Sequence, residues 1–121
     1  MFGPDRISLG KSGEDLACRE LIRRGYEILA RRYRTRIGEL DIVARDGRAI
    51  VFVEVKTRTT ERYGAPAEAV TLHKQAKIRA MAADYVFRRG LGDHPCRFDV
   101  VAVTAGSGRR VTVEVFPGAF E

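Results

Sequence analysis

Cysteine and histidine are scarce in this chain, two of each in 121 residues, and their placement removes whole classes of chemistry. Cys18 falls in a helix-patterned segment and Cys96 just before a strand-patterned one, which is no secreted disulfide framework; reduced thiols of a cytoplasmic protein are expected. Cys18 has no neighbouring base in the pattern to make it a nucleophile. His73 and His94 each stand without a second His or Cys at zinc-ligand spacing. There is no G-x-S-x-G elbow and no dinucleotide fingerprint. The stretch Gly10-Lys11-Ser12-Gly13 lacks the preceding strand and the first glycine of a phosphate-binding loop. MFGPDRISLG has no apolar signal core, and no run approaches membrane-spanning length. Internal repeats and low-complexity tracts are also missing. The expectation is one soluble cytoplasmic domain over residues 1–121, with no membrane partner.

What is present centres on residues 38–58, GELDIVARDGRAIVFVEVKTR. Two β-type runs flank Asp46-Gly47, a dipeptide suited to a tight hairpin. With that pair as the loop, Arg45 faces Arg48, and Ala44/Ala49, Ile42/Val51 and Leu40/Val53 share an apolar face. The other face then carries Val43/Ile50, Asp41/Phe52 and Glu39/Glu54, followed by Lys56. Glu39, Asp41, Glu54 and Lys56 collect at one end of two neighbouring strands. Carboxylates within about 5–8 Å of one another repel, and partial burial makes this worse. A divalent cation resolves the conflict: oxygens from Asp41, Glu54 and the Val55 carbonyl suit Mg²⁺ or Mn²⁺. Lys56, about 6–7 Å along the strand from Glu54, would hold a water or offset charge on a phosphate oxygen. Such a set suits phosphodiester hydrolysis. The charge of the whole chain fits too. It is +6 with a pI of about 9.8, and a basic surface around an acidic pocket attracts a polyanion while the pocket takes the metal.

Asp41, then Glu54-Val55-Lys56 after an intervening hairpin, resembles the PD-(D/E)XK nuclease signature. Within that superfamily the chain is similar to the YraN-like bacterial family, related in fold to archaeal Holliday-junction resolvases. The resemblance runs from Gly10 to about Val103, through GKSGEDLA, GELDIVARDG, VFVEVKTR, GAPAEAV and RFDVVAV. Leu40 stands where the signature has proline. The resemblance implies a restriction-endonuclease-like αβββαβ core. It also implies that a carboxylate of the N-terminal helix, Glu14, reaches the metal pocket; the residue pattern alone equally allows Glu14 to serve the helix dipole.

Taken in order, a helix is expected from an N-cap at Ser12 to Arg24, ended by Gly25. Glu14 lies beside its apolar stripe of Ala17, Cys18 and Leu21. Residues 26–34 read as an edge strand whose Arg31-Arg32-Tyr33-Arg34 run, extended by Arg36, either tracks a phosphate backbone or protects the edge with charge. After the strand at 51–57, Arg58 is the first residue of a polar loop (58–66) placed to touch substrate, and Arg62 lies within it. A second helix, from Thr71 to before Gly90, has Ile78, Ala82, Tyr85 and Val86 as its stripe. Gln75 extends that stripe toward the pocket, and Lys74 is solvated or contacts phosphate. Residues 97–104 form a buried strand parallel to 51–57, with Asp99 paired to a nearby arginine or to backbone. A last strand runs from Val111 to Phe116, ended by Pro117-Gly118.

The resulting expectation is an α/β fold with a mixed sheet flanked by helices and an extra C-terminal strand. Its function would be metal-dependent hydrolysis of DNA, with branched repair or recombination intermediates as substrate. Catalysis would rest on Asp41, Glu54 and Lys56, assisted by Glu14, Glu39 and Gln75; DNA would meet Arg34, Arg36, Arg58, Arg62 and Lys74. A homodimer would match the two equivalent strands of a junction. A weakly active or inactive nucleic-acid-binding or adaptor module of the same fold is the open alternative.

Overall fold

A computed structural model of the chain describes residues 6–59, 70–106, 108 and 110–121, with side chains from Ser12 onward. Helix α1 (Arg6–Arg23) is followed by strands β1 (Glu27–Thr35), β2 (Gly38–Asp46) and β3 (Ala49–Thr59). Helix α2 (Leu72–Arg89) then leads to β4 (Cys96–Ala105) and β5 (Val111–Phe120). The strands form one sheet in the order β1-β2-β3-β4-β5. Only β3 and β4 run parallel; the other three pairings are antiparallel. The αβββαβ core with an additional C-terminal strand is therefore the fold observed.

The helices cover opposite faces, so the sheet has two cores. Ala17, Cys18 and Leu21 of α1 pack on Ile42, Ala44, Val51, Val53, Val101 and Val103. Ile78, Met81, Ala82 and Tyr85 of α2 pack on Val43, Ile50, Phe52 and Val100. Alternation along β2 and β3 divides the side chains between them. One position departs from it. Leu40, expected with Ile42, joins the α2 side together with its β1 partner Tyr33; Arg32, next to Tyr33 in β1, takes φ 52.

Several expected boundaries move. Helix α1 starts six residues before Ser12, which is exposed within it. Capping propensity is a weak preference beside packing, and here α1 lies so close to the sheet that a Cβ on Gly13 would collide with Thr57 Cγ2 and touch Val103 Cβ at 3.8 Å. The hairpin turns on Gly47-Arg48, not on Asp46-Gly47. Asp46 pairs with Ala49, Ala44 with Val51 and Ile42 with Val53. Gly47 has φ 62 while Arg48 does not enter the left-handed region, the pattern of a turn with glycine first. The register thus slips by two, which preserves which face each residue occupies but changes its partner. Lastly, β5 continues through Pro117-Gly118 to Phe120. A register shift between Phe98 and Val100 absorbs the extra residues, as a bulge can at a proline.

Helix α2 does keep its expected limits. Thr71 accepts a hydrogen bond from the Lys74 N–H at 3.1 Å, and Gly90, at φ 65, ends the helix by donating to the Phe87 and Val86 carbonyls. This fixes the first turn of α2, and Lys74 with it, over the carboxylate end of β3.

Candidate functional site

The corrected register brings Asp41 beside Glu54. Regular β2–β3 pairing ends at Ile42 and Val53, and beyond it the Asp41 side chain takes the place of a ladder carbonyl: the Val55 N–H donates to Asp41 Oδ2 at 2.8 Å. Asp41 and Glu54 lie within hydrogen-bond reach of each other. Burial, reinforced by the charge of Glu54, raises the Asp41 carboxyl to about 7. The Val55 N–H opposes that rise without cancelling it.

Glu54 is buried and has two ammonium neighbours. Lys56 Nζ lies 3.6 Å from Glu54 Oε2, and Lys74 Nζ lies 3.5 Å from the same oxygen. The sequence pattern anticipated the first contact. The second was not anticipated: Lys74, expected off the apolar stripe and solvated or on phosphate, pairs with Glu54, and its place four residues before Ile78 is the signal that could have shown it.

The accessory residues are dispersed around this pair. Glu14 projects from α1 close enough to Asp41 for its charge to be felt there, but its carboxylate is held by Arg32 Nε at 2.8 Å, with Arg31 Nη2 at 3.8 Å. Arg31 also binds Asp15 at 2.7 Å. Glu39 faces Arg34 across the β1–β2 ladder, 3.1 Å from its guanidinium, instead of facing Glu54; the two-residue slip is the reason. Gln75 donates its side-chain amide to the Val70 carbonyl at 2.9 Å and braces the entry to α2. Arg58 is not the first loop residue, because β3 extends to Thr59. It pairs with Thr104 in the sheet and donates to that residue's Oγ1 at 3.4 Å. Arg36 is exposed at the end of β1, and Arg62 lies outside the described residues.

Among the described residues no three His, Cys, Asp or Glu side chains form a group able to hold a metal ion. The assembled carboxylates are a pair, with Glu14 held to one side by arginine. That pair nonetheless suits a hard divalent cation. Two carboxylates lie side by side, partly desolvated, and no guanidinium reaches Asp41 among the described residues. Mg²⁺ and Mn²⁺ take this donor chemistry while retaining waters.

A second buried acid occupies the other face. Asp99 is fully buried, but Arg97 donates to both its oxygens (2.9 and 3.0 Å), Tyr26 donates its hydroxyl at 2.9 Å and the Gly118 N–H adds a bond at 3.0 Å. The pairing expected for Asp99 is thus present, although the tyrosine and the Asp46 contact of Arg97, at 3.0 Å, were not legible in spacing. Burial and the Asp99 charge push the Tyr26 hydroxyl up to about 12.

A model of the family described as "Uncharacterised protein family UPF0102" matches residues 13–103. A UPF0102 protein of Geobacter metallireducens is 50% identical over 114 residues, covering 94% of this chain and 93% of the relative. One from Symbiobacterium thermophilum is 46% identical over 112 residues, covering 93% and 95%. Another, from Anaeromyxobacter dehalogenans, is 47% identical over 119 residues, covering 98% and 88%.

Proposed function

The chain belongs to the PD-(D/E)XK-like UPF0102 family, and from that premise we propose that it is a metal-dependent endonuclease acting on DNA. The observation that carries the proposal is the Asp41–Glu54 pair with Lys56 at its side: two adjacent acids, of which Asp41 is raised to about 7 by burial and by the charge of Glu54.

In this reading Asp41 and Glu54, with the Val55 carbonyl, hold Mg²⁺ or Mn²⁺. When bound, the ion supplies Lewis-acid polarisation of a phosphoryl oxygen and acidifies a coordinated water. The protein's own groups do the rest. Asp41, raised to about 7, would have to be ionised to hold the cation, so metal affinity would rise with pH up to about that value. Lys56, whose ammonium lies 3.6 Å from Glu54, would orient the attacking water or face the phosphate charge. Lys74, at the start of α2, takes a neighbouring phosphate once Glu54 is neutralised. Glu14, held by Arg32 and Arg31, would serve as an accessory carboxylate beside the pair. Arg34, Arg36 and Arg58 extend the basic surface, branched DNA is the substrate that the resolvase-like fold suggests, and two copies acting together would suit a four-way junction.

The test uses linear, flapped and four-way DNA with and without Mn²⁺. Lys56→Ala should retain the fold and lose cleavage, and a Lys56→Ala protein that cuts as well as the parent sinks the assignment. A second reading, a nucleic-acid-binding or adaptor module without turnover, is favoured by one observation: Lys56 and Lys74 together already balance the Glu54 charge. Absence of Mn²⁺-dependent heat, stabilisation and cleavage would select it.

A further inference from the structure

Away from the carboxylate pair, a groove of about 530 Å³ opens between the end of β1 and the middle of α2. Its chemistry is mixed in a specific way. Met81 and Ile37 give an apolar floor and rim, Tyr33 forms a wall, and Arg34, Arg36 and Arg88 border it. The wall is fixed: the Tyr33 ring meets Tyr85 edge-on at 5.0 Å, and its hydroxyl donates to Asp84 at 3.2 Å. Two of the guanidinium groups are engaged, Arg88 by Asp84 at 2.9 Å and Arg34 by Glu39 at 3.1 Å. Arg36 has no ion pair with any described residue, and Ile37 beside it is 48% exposed.

The groove also lies in line with the site. Ile37 is four residues before Asp41, about 13 Å at strand spacing, or roughly four stacked nucleotides of a single strand. Lys77 stands between them on α2, its Cε about 4.0 Å from where a Gly38 Cβ would be, as does Lys74 beside Glu54. An apolar slot of ligand-pocket size, rimmed by arginines and joined to the carboxylates by lysines, fits a flat base with its phosphate. A regular duplex keeps its bases stacked inside and offers the slot nothing.

We infer that this groove takes an unpaired nucleotide of the nucleic-acid strand, seating its base against Ile37 and Met81 and its phosphate on Arg36. The inference rests on the nucleic-acid reading above and narrows the substrate to one with a single-stranded segment beside the duplex. Charge complementarity selects this occupant. A purely apolar peptide would leave Arg36 unpaired, and an acidic one has no use for the floor.

The chain contains no tryptophan, so Ile37→Trp places a single reporter at the rim. In EDTA, without cleavage, its fluorescence should be quenched by an oligonucleotide and by a tailed duplex, and not by a blunt duplex. Anisotropy of labelled DNA with the parent protein should show the tailed duplex bound about tenfold more tightly than the blunt one. Arg36→Gln and Ala80→Trp, both at exposed positions and checked for an unchanged melting temperature, should reduce that preference to below about twofold. RNA tails run in parallel report whether the slot distinguishes the sugar. Equal binding of tailed and blunt duplex, or a reporter unmoved by any strand, overturns the inference. So does self-association abolished by Ala80→Trp, which would assign the groove to a second copy. Lys56-dependent cleavage without tail preference would overturn the groove while leaving the nuclease reading intact. Tail preference without cleavage would support the groove and remove the nuclease.

Discussion

Asp99 and Asp41 are two acids of one sheet, and the fold treats them oppositely. Asp99 has no solvent exposure, yet every oxygen is answered: Arg97 twice, Tyr26 and Gly118. That network ties the start of β1, the hairpin, β4 and β5 together on the α1 side. Asp41 receives one backbone N–H and otherwise faces another carboxylate. A buried charge given partners has its desolvation offset and is costly to disrupt, whereas one set against a like charge has that cost left standing. The comparison separates an acid whose charge is answered within the fold from one whose charge is set against another carboxylate.

The largest contrast should appear in activity. Lys56→Ala should lower Mn²⁺-dependent cleavage by at least about 100-fold with the circular dichroism unchanged, whereas a conservative change near Asp99 that still folds should leave turnover close to the parent. The next is stability, with opposite signs at the two acids. Asp99→Ala should cost about 3 kcal/mol or more, because it removes two bonds of Arg97 and leaves the Tyr26 hydroxyl and the Gly118 N–H without their acceptor; that is a melting temperature lower by roughly 10 °C. Asp41→Asn should instead stabilise the metal-free protein at neutral pH. Equal losses at both positions would erase the distinction.

A further contrast lies in pH. The native Asp41 carboxyl is raised to about 7, while an unfolded aspartate titrates at about 3.9. Between those values the native state holds a proton that the unfolded chain has released. This residue's contribution to stability therefore falls as pH rises from about 4 through about 7 and is flat above. Subtracting the Asp41→Asn melting curve from the parent's across that range isolates the effect. The mildest change is Glu14→Gln. It should leave the melting temperature nearly unchanged, because exposed ion pairs such as Glu14–Arg32 contribute little, while weakening Mn²⁺ binding about tenfold by calorimetry.

Much of this was legible in residue patterns, and the misses share a cause. Face alternation in β2 and β3 is set by side-chain parity, which survives a slip of two, so the α1 and α2 cores were readable except at Leu40. Partner identity does not survive it: Glu39 was expected opposite Glu54 and meets Arg34. Turn chemistry around Asp46-Gly47-Arg48 allows glycine to be first or second in the loop, and sequence does not choose. The ion pair of Lys74 with Glu54 was available in helical spacing, whereas Arg32 reaching Glu14 depends on a backbone at φ 52 that nothing in the residue type announces. The start of α1 was missed because a candidate N-cap such as Ser12 is only a weak local preference, which a helix can run through.

The most direct test is thermal denaturation at pH 7.5 of the parent and Asp41→Asn, each with and without Mn²⁺. The account requires the variant to melt higher than the parent without metal, and only the parent to rise by several degrees when Mn²⁺ is added. A variant that melts lower without metal, with both proteins responding equally to Mn²⁺, would contradict it.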